Sequence, residues 1–512
     1  VSKTFGKQQP ASSMVTFYHD IEQNIDSKAN PRECRKIVKE FLKLEKKYGI
    51  AVTYNVVGKI FQEQPDLIEW ILQEGQEVAF HSYNHQSDWQ PKYYSDEVDL
   101  CSRVSSLPRG YRSPQSQWNQ DTLKTLWRKG FLWNAENDKH KEPYFIYKGL
   151  VRLPIAADDW PLQTGTMNVD EWVQQFSKLL KRRPYFAFGS HDCVTSFASR
   201  ERLEAWERVL RIAVENEALL GTFSEAADLF RRAALARYYD NTAAKNWDRF
   251  NKTLYRTKRF QELIRVEAEK LNQPIVADLG SGGGLLSRHL KDIAGKTYCV
   301  GNASDMLEGI GSDSCVQACP GEAIDSNLPD NSIDLVICAH TIEHLFWPDR
   351  LADEIKRIGK IGATYFVTVS ALRDTPPSGE APPSRIGHYF TPDEVQRWAS
   401  QIGPGHLIGI QYEEPEPDSP ETEQRYRAME KNPSGCVPMH WVYIGTIQKE
   451  FTAKNHRETI PLSAFDFRFP SQRYDHLKTY LENVGRRLFK AFSPDDFALF
   501  HRIWQPKTVG RN

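Results

Sequence analysis

Two histidines four residues apart, His81 and His85 in HSYNH, directly follow a strand-like run, EVAF. On a helical turn, imidazoles at i and i+4 point the same way, so both can ligate one divalent ion. Such a pair gains weight from its company. Asp20 and Glu22, in FYHDIE, close the first strand-like run of the chain. Residues two apart on a strand face the same side, so both carboxylates can enter one pocket. Metal-assisted hydrolysis needs two acidic roles. One carboxylate completes the metal shell, and the other stays off the ion and takes a proton from water whose pKa is lowered toward about 7. The residues alone leave open which acid does which. His19 alternates to the opposite face and reads as a core or supporting residue. Arg112 in GYRSPQ, Asp158, Asp159 and Trp160 in RLPIAADDW, and His191 in AFGSHD follow in order. His191 closes another strand, where it could protonate a leaving amine.

A second constellation begins at Ile275. IVADLGSGGG reads as a buried strand closed by Asp278, followed by Gly280, Gly282 and Gly284 and then by a helix. Glycines permit a tight turn and close approach of backbone to a ligand, and the helix would offer unpaired N–H groups to an anion. The acid just before the first glycine favours S-adenosylmethionine over a dinucleotide.

Two stretches of alternating strand and helix position these residues and imply α/β architecture. The first starts at Met14–Tyr18 and continues with a helix near Pro31–Tyr48 and a strand at Ala51–Val57. A helix near Pro65–Glu74, a strand at Glu77–Phe80, a strand at Tyr185–Gly189 and a helix at Ser199–Glu217 follow. The alternation restarts at Ile275–Leu279, so a boundary is expected near 235–240. The expected division is a tail over 1–13, units over 14–235 and 236–450, and a helical extension over 451–512. In that extension Leu477, Tyr480, Leu481, Val484 and Leu488 form one apolar helix stripe. Thr375–Ser384 and Glu413–Glu421, both rich in proline, read as loops.

The first set of motifs resembles the NodB-type polysaccharide deacetylases, carbohydrate esterases with a distorted (β/α) barrel. HSYNH is similar to that family's metal motif, GYRSP to its R-x-P motif, DDW to its fourth motif and GSH to its fifth. The resemblance implies Asp20 as base, with Glu22, His81 and His85 as ligands of Zn²⁺ or another divalent metal. It implies that Arg112 holds Asp20, that His191 is the general acid, and that Asp159 pairs with Arg112 or orients His191. Trp160 would line the sugar groove. The commonest first motif has adjacent aspartates, and this chain departs from it.

The second set resembles class I methyltransferases, which have a Rossmann-like fold. SIDLVICAH with TIEHL is similar to their fourth strand and following helix, and RLADEIKRIGKIGATYFVTVS to the next helix and strand. HYFTPDEV is similar to a late helix start. The resemblance implies that Asp278, Gly280 and Gly282 hold the methionine part of S-adenosyl-L-methionine. Glu322 would stand near the adenine. Position 302 usually holds an acid that grips the ribose, and here it is Asn302. His340 and His344 would flank the mouth, with His344 a candidate base or a structural residue.

Lys and Arg together number 66 against 67 for Asp and Glu, so no global field favours nucleic acid. The eight cysteines form no disulfide or zinc spacing, and no apolar run is long enough to span a bilayer. A cytoplasmic location is expected. The composite reading is a bifunctional enzyme that deacetylates an acetylated amino sugar or glycan and transfers a methyl group in the same tailoring pathway. The alternative, suggested by Asn302, is a deacetylase whose second unit only binds or regulates. Oligomeric state is not encoded in these motifs.

Overall fold

A computed structural model describes residues 13–23, 31–86, 90–147, 149–192, 199–240, 251–252, 254–310, 315–371, 390–410, 417, 419–431, 438–448 and 460. The apolar stripe over 477–488 and the proline-rich stretch over 375–384 lie outside these residues. The other such stretch meets the structure at its end, where the helix Pro420–Lys431 begins with Ser419 accepting from the Thr422 amide.

The first unit contains β1 (Met14–Ile21), β2 (Val52–Val56), β3 (Glu77–Phe80), β4 (Gly110–Tyr111), β5 (Trp133–Asn137), β6 (Tyr144–Tyr147), β7 (Leu150–Ala157), β8 (Tyr185–His191) and β9 (Leu219–Gly221). Seven of them close a parallel ring in the order β1-β2-β3-β4-β5-β7-β8, with β8 returning to β1. β6 turns back on the start of β7, and β9 pairs with the first residues of β1. This is a distorted barrel of the expected class.

Strand alternation sorts β1 into two sets. Val15, Phe17 and Ile21 point outward and pack with Ile37, Phe41, Phe176 and Trp206 of the surrounding helices. Met14 and Tyr18 point inward with Trp133, Leu153, Tyr185 and Ala187. Asp20 lies on the inward set, at the end of the strand. The interior alternates large and small residues. A Cβ on Gly110 would lie 1.8 Å from the Trp133 ring, and one on Gly189 would lie 2.2 Å from the Tyr18 ring. The helix Phe223–Asp240 closes the end where the strands begin, placing Phe223, Ala226, Ala227 and Phe230 against that interior cluster. It extends past position 235, so the division read from the sequence falls inside a helix.

The second unit has β10 (Ile275–Leu279), β11 (Lys296–Gly301), β12 (Val316–Pro320), β13 (Ile333–Ala339), β14 (Gly359–Ser370), β15 (Gly405–Ile410) and β16 (His440–Thr446). Their order is β12-β11-β10-β13-β14-β16-β15, with only β16 antiparallel to its neighbours. Alternation puts Val276, Leu335, Ile337 and Phe366 against the helix Tyr255–Glu269. Ala277, Leu279, Val336 and Val367 face the helices Pro348–Ile358 and Pro392–Ala399. The last of these starts at Thr391 with a reciprocal capping box to Glu394, as HYFTPDEV suggests. This is a Rossmann-like fold, with its strand order reversing between β10 and β13.

Replacing Gly189 by alanine should force the Tyr18 ring off its site and destabilise the barrel by about 1–3 kcal/mol, the usual scale of overpacking. Urea unfolding followed by tryptophan fluorescence measures this. An unchanged midpoint would show that the interior yields.

Candidate active sites

The acids and histidines named from the sequence meet at one end of the barrel. Asp20 is fully buried. Its Oδ2 accepts from Arg112 Nε at 2.7 Å and its Oδ1 from Asn55 Nδ2 at 2.8 Å. Burial pushes its pKa up, but Arg112, with His81 and His191, outweighs this and holds the carboxyl below its ordinary range. Two residues on, Glu22 Oε1 lies 3.0 Å from His81 Nε2 and 3.2 Å from His85 Nε2. Burial would raise Glu22 as well, and the two imidazoles hold it well below the usual carboxylate range.

Glu22, His81 and His85 each offer a ligand atom, all within 4.8 Å of one another. The His81 Nδ1 faces the Arg112 carbonyl at 3.1 Å, which favours a proton on Nδ1 and a lone pair on Nε2. One carboxylate oxygen and two imidazole nitrogens converging in this way fit a zinc-like divalent ion. The two histidines do not ride a helical turn, as their spacing implied. They sit in a loop where Ser82 and His85 adopt left-handed backbone conformations (φ 59° and 48°). The Ser82 hydroxyl accepts from the His85 amide, and the Glu97 carboxylate accepts from the Tyr83 and Asn84 amides. These side chains satisfy the amides that a helix would otherwise use.

Of the two partners considered for Asp159, the structure places it on His191. Its Oδ1 lies 2.6 Å from His191 Nδ1, and its Oδ2 accepts from the Ser190 hydroxyl and the His191 amide. Burial would lower the His191 pKa, but Asp159 more than offsets this and raises it to about 10. His191 Nε2 is left 3.6 Å from Asp20 Oδ2. Trp160 begins a short helix and is 56% exposed, the barrel unit's one large aromatic open to solvent among the described residues. Beside it a cleft of 530 Å³ is lined by Asn137, Asp138, Asp158, Pro161 and Arg183, among others. His19 lies outside this group. It points outward, pairs with Glu45 at 2.7 Å and stacks on Phe41.

Several supporting residues escaped the sequence reading. Asn55 interrupts the apolar run of β2, and a buried amide there is a usable signal. Glu136 accepts from the Ser113 amide and lies 3.9 Å from Arg112. Arg202 donates to the His191 carbonyl. Asp192 accepts from the Glu22 amide, and burial pushes its pKa up to about 7.

In the second unit Asp278 is buried at the end of β10. Gly280, Gly282 and Gly284 all have left-handed φ, at 76°, 55° and 73°. A Cβ on Gly280 would lie 2.1 Å from Thr341 Oγ1, so only glycine lets the turn pass that side chain. The helix expected after the glycines is absent. A run of turns leads to a 3₁₀ segment, Ser287–Leu290. Left-handed residues at alternate positions cannot start a right-handed helix. Further, the Gly280 and Ser281 amides are taken by the Val300 carbonyl, at 2.9 and 3.0 Å. Asn302 ends exposed beside β11, and its amide donates to Glu322 Oε2 at 3.3 Å. His340 forms a dyad with Glu343. Its Nδ1 lies 2.8 Å from Glu343 Oε1 on a left-handed backbone (φ 52°). Burial would raise Glu343, yet His340 and His344 hold it down to about 2.

Comparison with known proteins divides the chain in the same way. Residues 21–132 match the polysaccharide deacetylase family model, and residues 277–367 match a methyltransferase domain model. The chain joins a region similar to polysaccharide deacetylases, here the deacetylase region, to one similar to methyltransferases, here the methyltransferase region. It is 31% identical over 139 residues to a peptidoglycan deacetylase-like protein of Gibberella zeae, covering 25% of this chain and 40% of that protein. It is 35% identical over 91 residues to a chitooligosaccharide deacetylase of Bradyrhizobium sp., covering 16% and 42%. Ajmaline N-methyltransferase of Rauvolfia serpentina is 35% identical over 79 residues, covering 15% and 27%. The chain thus spans less than half the length of each of these relatives. Among the described residues, no helix of either region is long and apolar enough to cross a membrane.

If the Glu22, His81 and His85 cluster holds an ion, His81→Ala should abolish stoichiometric metal in the purified protein, and Glu22→Gln should weaken its retention. Plasma mass spectrometry measures both. Full metal content in His81→Ala would disprove the ligand set.

Proposed function

We propose that the chain is a bifunctional enzyme: a metal-dependent N-deacetylase of an acetylated amino sugar or glycan, and an S-adenosylmethionine-dependent methyltransferase of the same tailoring pathway. The observation that carries the first half is the separation of Asp20 from Glu22. Glu22 meets both histidines, whereas Asp20 is turned toward Arg112 and Asn55. Glu22, His81 and His85 would hold zinc or a related divalent ion, which supplies Lewis acidity to the acyl carbonyl and to water. Asp20, kept ionised by Arg112, removes the proton from the attacking water. His191, kept protonated by Asp159, gives its Nε2 proton to the departing amine. Both groups work from the side of the barrel where the strands end, and Trp160 offers an apolar face beside them to a sugar ring.

The second half is supported by the glycine turn. Its left-handed residues, with Gly280 passing too close to Thr341 for any Cβ, make a turn that only glycine can follow at the end of β10. Asp278, Gly280 and Gly282 would hold the methionine end, and Asn302 and Glu322 the adenosine end. The cofactor supplies an electrophilic methyl group when bound. Because the Gly280 and Ser281 amides are already engaged, Asp278 and the later turn carry more of the recognition than a helix end would. The His340–Glu343 dyad, one residue from Thr341, is a candidate for accepting a proton near the acceptor. A cytosolic precursor as substrate fits a cofactor made in the cytosol.

Asp20→Asn should retain metal while losing about 10²–10⁴-fold in turnover on acetylated chitooligosaccharides, the usual worth of a general base. Loss of metal in that variant would exchange the roles of Asp20 and Glu22. Gly280→Val should eliminate S-adenosylmethionine binding by calorimetry. Retained binding would place the cofactor elsewhere or nowhere.

A further inference from the structure

The last helix of the deacetylase region, Phe223–Asp240, has one face in the barrel and the other on the methyltransferase region. It packs on the helix Ser304–Glu308, which starts two residues after Asn302. Arg232 on that helix is buried, and all three of its nitrogens are engaged. Nε donates to Asp228 at 2.7 Å, one terminal nitrogen donates to Glu322 Oε1 at 2.9 Å, and the other to the Ile460 carbonyl at 2.7 Å. Nearby, the Arg231 guanidinium lies 5.7 Å from the ring of Phe346, a methyltransferase residue buried in the barrel's interior cluster. The contact between the regions is therefore built from side chains of both.

The Arg232 pair does more than dock two surfaces. The second oxygen of Glu322 accepts from the Asn302 amide, so Arg232, Glu322 and Asn302 form one chain. That chain ends at the C-terminal edge of β11, next to the strand that carries the glycine turn. In open α/β sheets this edge is where a carboxylate meets a ribose diol. Asn302 brings no charge to it. Glu322 does, and each of its oxygens keeps a second lone pair for a hydroxyl. Its side chain is 19% exposed, so it remains open to a ligand.

We propose that Arg232, although it belongs to the deacetylase region, is a positioning residue of the methyltransferase cofactor site, holding the Glu322 carboxylate beside Asn302 as a joint acceptor for the cofactor's ribose diol. This rests on the cofactor reading above. The methyltransferase site is then incomplete without the deacetylase region's last helix, and the charge absent from position 302 reaches the ribose from position 322. It follows that an acid at 302 is no improvement, because it would face Glu322 and could not donate to it.

Calorimetry on the full chain with S-adenosylhomocysteine and S-adenosylmethionine tests this. Arg232→Met should weaken both ligands about tenfold or more, the scale of a charge-assisted contact. Arg232→Lys should recover part of the loss. In a Glu322→Gln background, Arg232→Met should have little further effect, because the two residues act through one contact. Circular dichroism and melting on each variant separate binding from folding. If Arg232→Met does not fold, Arg232→Lys and Glu322→Gln decide the matter, each expected to weaken binding in a folded chain. Parental affinity in a folded Arg232 variant overturns the inference, as does an equal loss with and without Glu322. Absence of binding in the parent chain would instead defeat the cofactor reading itself, and this inference with it.

Discussion

A buried carboxylate, that of Asp20, dictates much of what surrounds it. An unpaired charge in such a place costs several kcal/mol, so the barrel end must supply both a cation and neutral donors. Asn55 and Arg112 do so, from β2 and from the loop after β4 respectively. Arg112 in turn lies beside Glu136 of β5, which takes the Ser113 amide and the Asn134 side chain. The polar layer therefore runs from strand to strand around the ring. Below it the interior is apolar, and the polar layer can be this dense only because the ring is closed and every strand contributes an inward residue. The same closure explains why Glu22, one step beyond the end of β1, is free to turn away from Arg112 and meet the two histidines.

Much of this was readable in the sequence where a spacing and a strand end coincide. Asp20 and Glu22 were placed together by their separation of two, and His19 was excluded from them by the same alternation. His81, His85, Arg112, Asp159 and His191 each stand at or just after a strand end, and the ring gathers those ends. What stayed hidden depends on contacts between distant segments. Nothing local to Asp192, Arg202 or Glu136 marks them as partners of Glu22, His191 and Arg112 respectively. The loop conformation of HSYNH was also hidden, because the Glu97 carboxylate that stabilises it lies twelve residues past His85, on the helix Tyr94–Val104.

The methyltransferase region shows the reverse balance. Its strands, its capping box at Thr391 and its glycine turn follow directly from local residues, and the two faces of its sheet sort by simple alternation. The missing helix after the turn was misread because a glycine-rich turn commonly opens a helix. Here the glycines are left-handed at every second position, which a helix cannot accept. Arg232 had no signal in its own segment, since an arginine four residues after an aspartate on a helix reads as a local pair. Its second role exists only because two regions of the chain meet there.

The helix Phe223–Asp240 and Phe346 lie where the barrel strands begin, while the acids and histidines lie where those strands end. The second unit therefore meets the barrel at the end opposite the acids and histidines. Under the proposed function, a compound handled by both candidate sites would leave one, mix with the surrounding solution and find the other. Tethering gives such a compound no private route. It would keep the two regions at equal numbers and leave the order of the two proposed reactions to the selectivity of each site. A partly processed compound supplied from outside would compete on equal terms with one made by the same molecule.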